Sequence, residues 1–425
     1  MNVSISGGAL QGEISAVPSK SAAHRALICA ALADKPTEIF LPISNADIDA
    51  TASCLRAMGA EITRNGAFLN VSQITQTPDF AELDCGESGS TLRFLLPIAA
   101  AKLPKASFLG SGRLPQRPIS ELKNAMEKGG ASFSADKLPL TVSGGLNAGR
   151  FEIEGNVSSQ YISGLLMALP VLNGDSSIIL KSPLCSEPYV NITLEMLKNF
   201  GVDIERREGG FFVRGGQVFN APRVINVEGD WSAAAFFLTS GAIGGDVTVT
   251  NLDLNSEQGD REIAEILQEF GADIEILDSS VRVRKAKLTA CDIDVSDIPD
   301  LLPILTVLAS CAYGKTVLYN AANLRHKESD RLFSSATMIN ALGGVAEEYP
   351  DRLEITGTGL RGGTIDSFGD HRIAMSAAIA ASACSGQTTI VGAEAVKKSY
   401  PDFFRDFEKL GGKIITNEGG VTHES

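Results

Sequence analysis

Positively charged side chains stand at or near the predicted N-terminal ends of helices at several places in this sequence. These cations are Lys20, Arg93, Arg117, Lys327, Arg331, Arg372 and Lys398. A helix N-terminus carries about half a positive charge, so each cation there lowers helix stability by up to about 1 kcal/mol. A bound polyanion would offset this repulsion, and the N–H groups at converging helix ends would bind it as well. The pattern predicts a site for anionic ligands, although one such cluster taken alone is more often a helix cap or a solvated surface.

The segment Arg325–Arg331 concentrates this chemistry, with six ionisable residues in a run of seven. Lys327 and Arg331 are four residues apart, so in a helix they would share a face and repel each other. Glu328 would lie on an adjoining face, where a carboxylate between cations stays ionised unless burial raises its pKa. Cations for phosphate and carboxylate groups, with a carboxylate that exchanges a proton, are the side chains that a transferase needs.

Length and composition indicate a two-domain protein, since 425 residues exceed one ordinary core. A net charge of −14 argues against nucleic acids and anionic membranes as partners, because both require a basic surface. The seven cysteines are scattered and form no metal-binding or disulfide pattern, which favours a reducing compartment. The N-terminal residues lack the basic start of a signal peptide, and the uncharged stretch 373–393 indicates a buried helix, a turn and a strand. We therefore expect a cytoplasmic protein.

Two interleaved series of six related segments run along the chain. In the first series an amphipathic helix ends at a glycine and a strand follows, and the glycines are 71, 71, 70, 72 and 68 residues apart. These glycines are Gly59, Gly130, Gly201, Gly271, Gly343 and Gly411. In the second series a polar cluster opens a helix that is apolar on nearly all sides and should be buried. Its matching positions are Ser21, Ser90, Gln160, Trp231, Asp300 and His371.

The six repeats predict an α/β fold with two similar domains of three repeats each. Each repeat is a βαβαββ-like unit, with outer sheets around buried parallel helices. A domain boundary near residue 229 gives balanced halves if the first strand pair joins the second half. The predicted domains are therefore 1–18 plus 229–425 and 19–228. We expect the active site in a cleft between them, where the polar helix starts would converge.

Nine short motifs occur in a characteristic order along the chain. They are "PSKSAAHRALICAALA", "GSTLR", "QRPI", "VSSQ", "SEPY", "IPD", "NLRHKESDR", "GDHRIAM" and "KKSYPDF". In this order and over essentially the full length, they resemble the motifs of the EPSP synthases, the 3-phosphoshikimate 1-carboxyvinyltransferases. The resemblance implies the enolpyruvyl transferase fold, an inside-out α/β barrel of three repeats in each domain.

The resemblance also implies a reaction and a set of site residues. The enolpyruvyl group of phosphoenolpyruvate would pass to the 5-hydroxyl of shikimate 3-phosphate through a tetrahedral intermediate, with release of phosphate and without a cofactor or metal. Residues implied to bind shikimate 3-phosphate are Lys20, Ser21, Arg25, Ser158, Ser159, Gln160, Ser186, Tyr189, Asp300, Asn323 and Lys327. Residues implied to bind phosphoenolpyruvate are Lys20, Gly89, Arg93, Arg117, Gln160, Arg331, Arg372 and Lys398.

The implied catalytic residues are Asp300, Glu328, Lys20 and His371. Asp300 would accept the proton of the 5-hydroxyl, and Glu328 would give a proton to C3 and later take one back. His371 would support Glu328, and Lys20 would reach both substrates. Arg325 and His326 gain no role and are predicted to face solvent.

One position departs from the family pattern, because Glu87 stands where the family commonly has asparagine. A carboxylate there would repel phosphoenolpyruvate unless it pairs with a cation. We expect altered affinity for phosphoenolpyruvate or for the inhibitor glyphosate, without loss of activity. Gly89 is retained, so close approach of glyphosate remains expected. The expected partners are the two small-molecule substrates alone, bound by a monomer that contacts neither nucleic acid nor membranes.

Two alternatives differ in chemistry. A UDP-N-acetylglucosamine enolpyruvyl transferase shares the fold and the donor, but it typically has "SKN" early and a cysteine or aspartate in the loop before "RP". This chain has "SKS", and neither residue occurs between Phe108 and Pro118. A non-catalytic binder of phosphorylated metabolites would need the cations but not Glu328 or Asp300.

Overall fold

A computed structural model describes residues 1–415, which form 24 β-strands and 12 α-helices. The strands are β1 (Asn2–Ser6), β2 (Gln11–Ser15), β3 (Thr37–Phe40), β4 (Glu61–Asn65), β5 (Phe68–Ser72), β6 (Ala81–Asp84), β7 (Lys105–Leu109), β8 (Ser132–Phe133), β9 (Leu140–Ser143), β10 (Arg150–Ile153), β11 (Ser176–Leu180), β12 (Ile204–Arg207), β13 (Gly210–Val213), β14 (Val224–Asn226), β15 (Asp246–Thr250), β16 (Asp273–Leu277), β17 (Ser280–Arg284), β18 (Ile293–Asp294), β19 (Lys315–Tyr319), β20 (Val345–Glu348), β21 (Leu353–Thr356), β22 (Thr364–Asp366), β23 (Thr388–Val391) and β24 (Lys413–Ile415). The helices are α1 (Lys20–Leu32), α2 (Ala46–Ala57), α3 (Gly89–Lys102), α4 (Ser120–Lys128), α5 (Ser159–Ala168), α6 (Glu187–Asn199), α7 (Trp231–Gly244), α8 (Ile263–Glu269), α9 (Leu302–Ser310), α10 (Arg331–Ala341), α11 (His371–Ala383) and α12 (Phe403–Lys409). Within residues 1–415, none of these helices combines the length and the apolar character needed to cross a bilayer.

The chain divides into two compact units. Residues 18–229 and 255–259 form one, called here the N-terminal unit. Residues 1–17, 230–254 and 260–415 form the other, called the C-terminal unit. The strands β1 and β2 therefore pair with strands from the second half of the chain.

The strands within residues 1–415 form six sheets, each with four strands and the same topology. In the N-terminal unit the orders are β14-β3-β5-β4, β6-β7-β9-β8 and β10-β11-β13-β12. In the C-terminal unit they are β2-β15-β17-β16, β18-β19-β21-β20 and β22-β23-β1-β24. The first pair in each order is parallel and the other pairs are antiparallel. In the sixth sheet β1 and β24 take the place of the usual hairpin.

The glycines that end the amphipathic helices explain how each helix gives way to a strand. All six have a left-handed φ, from 71° at Gly201 to 107° at Gly59. Glycine adopts this conformation without the steric penalty of a Cβ, so it stops the helix and redirects the chain. The predicted glycine stops are confirmed.

The apolar helices α1, α3, α5, α7, α9 and α11 form the interior of the two units. Most residues of each are buried, and Trp231 on α7 is fully enclosed. Serine or aspartate caps several of them: Ser19, Ser88 and Ser158 accept N–H groups of α1, α3 and α5. These caps fix the first residues of the helices, which are the residues that carry the candidate chemistry.

Candidate active site

In the N-terminal unit, Arg25 is a buried cation that contacts no carboxylate among the described residues. Its side chain is 1% exposed. It donates to the Oγ1 of Thr193 (2.7 Å) and to the carbonyl oxygens of Tyr189 (2.7 Å) and Ser21 (2.8 Å). Burial lowers the pKa of Arg25 to about 10, so the guanidinium remains charged at neutral pH. A buried cation that meets only neutral acceptors can bind an anion strongly, because few waters screen it.

Lys20 is the first residue of α1, and its ammonium group forms an ion pair with Asp47. The Nζ lies 2.9 Å from Oδ2, and the side chains are 15% and 6% exposed. Asp47 belongs to the first turn of α2, so the pair joins the starts of two helices. Ser21 is the next residue of α1, which places it beside Lys20 at the same helix end.

Gln160 and Arg93 connect α5 to α3. The Oε1 of Gln160 accepts from Arg93 Nη1 (2.7 Å), and its Nε2 donates to Ser90 Oγ (2.9 Å). Arg93 Nη2 also donates to the carbonyl oxygen of Pro118 at 3.2 Å. The helices approach closely because Gly164 lacks a side chain: a Cβ there would lie 2.4 Å from the carbonyl oxygen of Arg93. The packing of α3 on α5 thus holds two predicted ligand residues in mutual contact.

Ser158, Ser159, Ser186 and Tyr189 lie at the starts of α5 and α6. Ser158 caps α5 and Ser159 is its first residue. Ser186 has a φ of 53°, a left-handed conformation that is uncommon outside glycine, and it directly precedes α6. Such strain persists only where the surrounding structure enforces it, and it is frequent at binding sites. Tyr189 follows in the first turn of α6.

Arg117 lies against Gly89, the first residue of α3. A Cβ added to Gly89 would be 2.7 Å from Arg117 Nη1 and 2.9 Å from its Cζ. A side chain at position 89 would therefore displace the guanidinium, which is the mobile end of Arg117. The carboxyl group of Glu87 lies against Gly112, where a Cβ would be 2.5 Å from the carboxyl carbon.

In the C-terminal unit, Asp300 is bonded to three of the predicted ligand cations. Its Oδ1 is 2.6 Å from Arg331 Nη1 and 3.6 Å from Lys327 Nζ, and its Oδ2 is 2.7 Å from Arg372 Nη2. Burial would raise the pKa of Asp300, but Arg372, Lys327 and Arg331 hold it well below its ordinary value. In this arrangement Asp300 is ionised and weakly basic. It is not the cap of α9, which begins at Leu302.

Arg331 is the most enclosed cation of this cluster, with a side chain 1% exposed. Besides Asp300, it contacts Asp370 (Nε to Oδ2, 3.0 Å) and Glu328 (Nη2 to Oε2, 2.9 Å). Burial alone would lower the pKa of Arg331, whereas Asp370, Asp300 and Glu328 raise it well above its ordinary value. Asp370 is fully buried and also caps α11 by accepting the N–H of Arg372 at 2.9 Å.

The prediction that Lys327 and Arg331 share a helical face is wrong. The helix α10 begins at Arg331, with Asp330 as its cap, and a short 3-10 helix (Ala322–His326) ends before Lys327. Lys327 itself has an extended backbone. The two cations do not oppose each other along a helix, because both reach the same carboxylate oxygen of Asp300.

The prediction that Arg325 faces solvent is also wrong. Its Nη1 lies 2.8 Å from Asp330 Oδ2 and 2.7 Å from Glu348 Oε1, and its Nη2 donates to the carbonyl oxygen of Tyr349. Arg325 therefore fastens the segment before α10 to the strand β20. His326 is exposed, as predicted.

Three other predicted site residues of this unit lie on separate elements. Asn323 is exposed on the 3-10 helix Ala322–His326. His371 is the first residue of α11 and is 1% exposed. Lys398 ends the 3-10 helix Ala393–Lys398, and the next helix, α12, begins only at Phe403. The prediction that Lys398 stands at a helix N-terminus is therefore wrong.

Motif reasoning missed the carboxylates that position the cations. Asp47 pairs with Lys20, and Asp370 binds Arg331. Asp370 does adjoin His371 and Arg372 in one motif, which was a usable signal. Asp47 lies 27 residues from Lys20, and no pattern in the sequence links the two.

Comparisons with known proteins were made for the whole chain. Residues 5–407 match the family described as EPSP synthase (3-phosphoshikimate 1-carboxyvinyltransferase). The chain belongs to this family. The 3-phosphoshikimate 1-carboxyvinyltransferase of Clostridium novyi (strain NT) is 41% identical over 97% of this chain and 98% of its own length. That of Methanocorpusculum labreanum is 38% identical over 97% of this chain and 99% of its own.

Solved structures agree with this assignment. An EPSP synthase from Acinetobacter baumannii has a TM-score of 0.82 and 27% identity, and the match covers 98% of this chain and 100% of that one. The enolpyruvyl transferase NikO from Streptomyces tendae has a TM-score of 0.77 at 17% identity, covering 97% and 98%, and shows the fold alone. The predicted family, fold and class of enzyme are confirmed. Enolpyruvyl transfer from phosphoenolpyruvate to shikimate 3-phosphate is the activity that this family membership assigns.

The contact between Gly89 and Arg117 leads to a prediction. Gly89→Ala should push the guanidinium of Arg117 away and raise the KM for phosphoenolpyruvate by about tenfold, equivalent to about 1.4 kcal/mol. Steady-state kinetics would measure this change. Gly145→Ala is a matched control in the same unit, because nothing lies within 4 Å of its added Cβ. An unchanged KM in Gly89→Ala would show that Arg117 does not contribute to phosphoenolpyruvate binding.

Proposed function

We propose that this chain transfers the enolpyruvyl group of phosphoenolpyruvate to the 5-hydroxyl of shikimate 3-phosphate, with the residues named above in the roles that the family motifs imply. The observation that carries this proposal is the binding of Asp300 to Lys327, Arg331 and Arg372. The proposed general base is thus in contact with cations that would bind the anionic substrates. We propose that these cations change partner from Asp300 to phosphoenolpyruvate when the donor binds.

The cations have two sets of partners available. In the structure Asp300 is their counter-ion, and these cations depress its pKa. When phosphoenolpyruvate binds Arg331 and Arg372, their charge is shared with its phosphate and carboxylate groups. The pKa of Asp300 then rises, because the stabilisation of its ionised form weakens. Asp300 becomes a competent base only once the donor is in place.

The reaction then proceeds by addition and elimination. Asp300 takes the proton of the 5-hydroxyl while the oxygen attacks C2 of phosphoenolpyruvate, and Glu328 gives a proton to C3. In the second step Glu328 takes a proton from the new methyl group, and the C2–O bond to phosphate breaks. Glu328 lies 2.9 Å from Arg331, so the guanidinium can hold the carboxylate in place between the two proton transfers.

The N-terminal unit supplies the acceptor pocket in this proposal. Arg25 is suited to the 3-phosphate because its charge is buried and its partners are neutral. The family motifs assign the acceptor to Ser158, Ser159, Ser186 and Tyr189, and also to Asn323 and Lys327. Lys20, Gly89, Arg93, Arg117 and Gln160 join Lys398 around phosphoenolpyruvate.

The proposal extends to the working state of the enzyme. We propose a monomer, because one chain supplies every group that the reaction requires. A net charge of −14 disfavours nucleic acid as a partner. The seven cysteines fit a reducing compartment, and we place the enzyme in the cytoplasm.

A phosphate-release assay tests the proposed reaction. The chain should release phosphate only when shikimate 3-phosphate and phosphoenolpyruvate are both present, and not when UDP-N-acetylglucosamine replaces the acceptor. Glu328→Gln should lower turnover by about a hundredfold while both ligands still bind, because a proton carrier is lost. Glu354→Gln is the matched control, since this carboxylate lies on strand β21 and pairs with Lys315 and Arg352. Binding of both ligands without phosphate release would instead establish a non-catalytic binder.

A further inference from the structure

Thr193 is a threonine within α6 to which the family motifs assign no role. Its side chain is fully buried. Its Oγ1 accepts a hydrogen bond from Nε of Arg25 at 2.7 Å. The same hydroxyl can donate its hydrogen to Ser163 Oγ at 2.7 Å or to the carbonyl oxygen of Tyr189 at 3.1 Å. Because Arg25 lies on α1 and Ser163 on α5, the hydroxyl of Thr193 connects three helices.

Hydrogen bonds to neutral groups account for most of the N–H groups of Arg25. A guanidinium has five N–H groups. Nε donates to Thr193, and Nη1 donates to the carbonyl oxygen of Ser21 at 2.8 Å. Nη2 donates to the carbonyl oxygen of Tyr189 at 2.7 Å and to Ser163 Oγ at 3.3 Å. Within residues 1–415, these acceptors leave one N–H group of Nη1 for a ligand.

The surroundings of Arg25 restrict its orientation without neutralising its charge. The ring of Phe94 lies against the guanidinium, with its centroid 4.8 Å from Cζ, so the face of the group is fixed as well as its edge. The hydroxyl of Thr193 is a dipole and not a counter-ion. A carboxylate at the same place would compete with an anionic ligand, as Asp300 does at Arg331. A neutral hydroxyl can therefore orient the cation and leave its charge to the ligand.

We propose that Thr193 is a positioning residue for shikimate 3-phosphate, which holds the guanidinium of Arg25 in the orientation that binds this acceptor. This inference rests on the proposed function, because that function assigns Arg25 to shikimate 3-phosphate. Without the hydroxyl, Nε is a buried donor that has lost its acceptor, so the guanidinium turns toward other acceptors. The orientation that binds the anion then becomes a minor population, and the apparent affinity falls by the same fraction.

Thr193→Val tests this proposal, because valine has nearly the same shape and lacks the hydroxyl. Calorimetric titration of the full chain with shikimate 3-phosphate should show a Kd about tenfold weaker than that of the wild type. The KM for phosphoenolpyruvate and the turnover at saturating acceptor should stay nearly constant, because Thr193 acts on the acceptor alone. Thr193→Ser retains the hydroxyl and should restore most of the affinity for shikimate 3-phosphate.

The nuclear magnetic resonance signal of the Arg25 Nε–H group reports directly on the proposed contact. A buried and hydrogen-bonded N–H exchanges slowly with water, so it gives a separate signal, which its absence in Arg25→Lys would assign. The signal should persist in Thr193→Ser and should shift or disappear in Thr193→Val.

Two further variants serve as controls. Thr306→Val on α9 removes an equally buried hydroxyl, which donates to the carbonyl oxygen of Pro303 at 2.6 Å, and it should leave both affinities unchanged. Ser163→Ala removes the more distant acceptor of Arg25 and should weaken acceptor binding about threefold, which tests the proposal if Thr193→Val does not fold. Equal losses of affinity for the two substrates, an unchanged Kd, or a loss that Thr193→Ser does not restore would overturn the proposal.

Failure of the proposed function is distinguishable from failure of this inference. The titration and the resonance measurement need binding but no turnover. A chain in which Thr193→Val selectively weakens binding of shikimate 3-phosphate, but whose wild type releases no phosphate, supports the role of Thr193 and contradicts only the proposed reaction.

Discussion

Asp300→Asn is expected to lower turnover by about a hundredfold to ten-thousandfold while it tightens phosphoenolpyruvate binding by about tenfold. Turnover falls because asparagine cannot accept the proton of the acceptor hydroxyl. Binding tightens because Lys327, Arg331 and Arg372 lose the negative counter-ion with which a substrate anion competes. Phosphate release measures the first effect, and calorimetric titration with phosphoenolpyruvate measures the second.

The opposite signs of the two effects identify the dual role of Asp300. Asp246→Asn is the matched control, because it removes an equal charge from a pair with Arg282 and should alter neither quantity. If Asp300→Asn lost turnover with unchanged or weaker binding, Asp300 would be a base alone, and the exchange of cations between Asp300 and phosphoenolpyruvate would be disproved.

Arg331→Met is expected to abolish measurable turnover and to lower the free energy of unfolding by about 3–5 kcal/mol. The side chain is 1% exposed and contacts Asp300, Glu328 and Asp370. Removal of the guanidinium leaves three carboxylates close together without the cation that they share. The loss is most costly for Asp370, because that carboxylate is fully buried. Urea unfolding at neutral pH, monitored by circular dichroism, gives the change in stability.

Two other substitutions of arginine serve as comparisons for the loss of stability in Arg331→Met. Arg331→Lys keeps the charge but not the planar fork that reaches three carboxylates, so it should restore only part of the stability. Arg282→Met removes a pair whose side chains are 41% and 39% exposed, so it should leave the free energy of unfolding nearly unchanged. An Arg331→Met chain as stable as the wild type would mean that the carboxylates relax or take up protons at little cost.

The six-fold repeat shows which structural features can be predicted from residues that are close together in the sequence. Each marker glycine specifies a helix end through its own backbone freedom, and all six adopt the left-handed conformation. The burial of α1, α3, α5, α7, α9 and α11 likewise follows from their nearly continuous apolar composition. These features depend on residues close together in the chain, so a sequence pattern is sufficient to predict them.

The segment before α10 shows where local pattern fails. A charge-rich run next to a helix predicts that the run forms the first helical turn. In the structure the backbone is extended at Lys327, and the helix begins four residues later, at Arg331. The backbone follows contacts with distant residues instead. Arg325 binds Glu348, 23 residues away, and Arg331 binds Asp300 and Asp370, 31 and 39 residues away. Helical periodicity carries no information about such partners.

The sequence by itself determined the α/β class, the repeat, the buried and surface helices, and through its motifs the family. Only the tertiary structure decided which carboxylate forms an ion pair with each cation. Asp47 pairs with Lys20, Asp370 and Asp300 pair with Arg331, and Asp300 pairs with Arg372. The physical reason is the range of the interactions. Helix stops and apolar faces are set by neighbours within a few residues, whereas ion pairs and the pKa of Asp300 depend on burial and on charges brought together by packing.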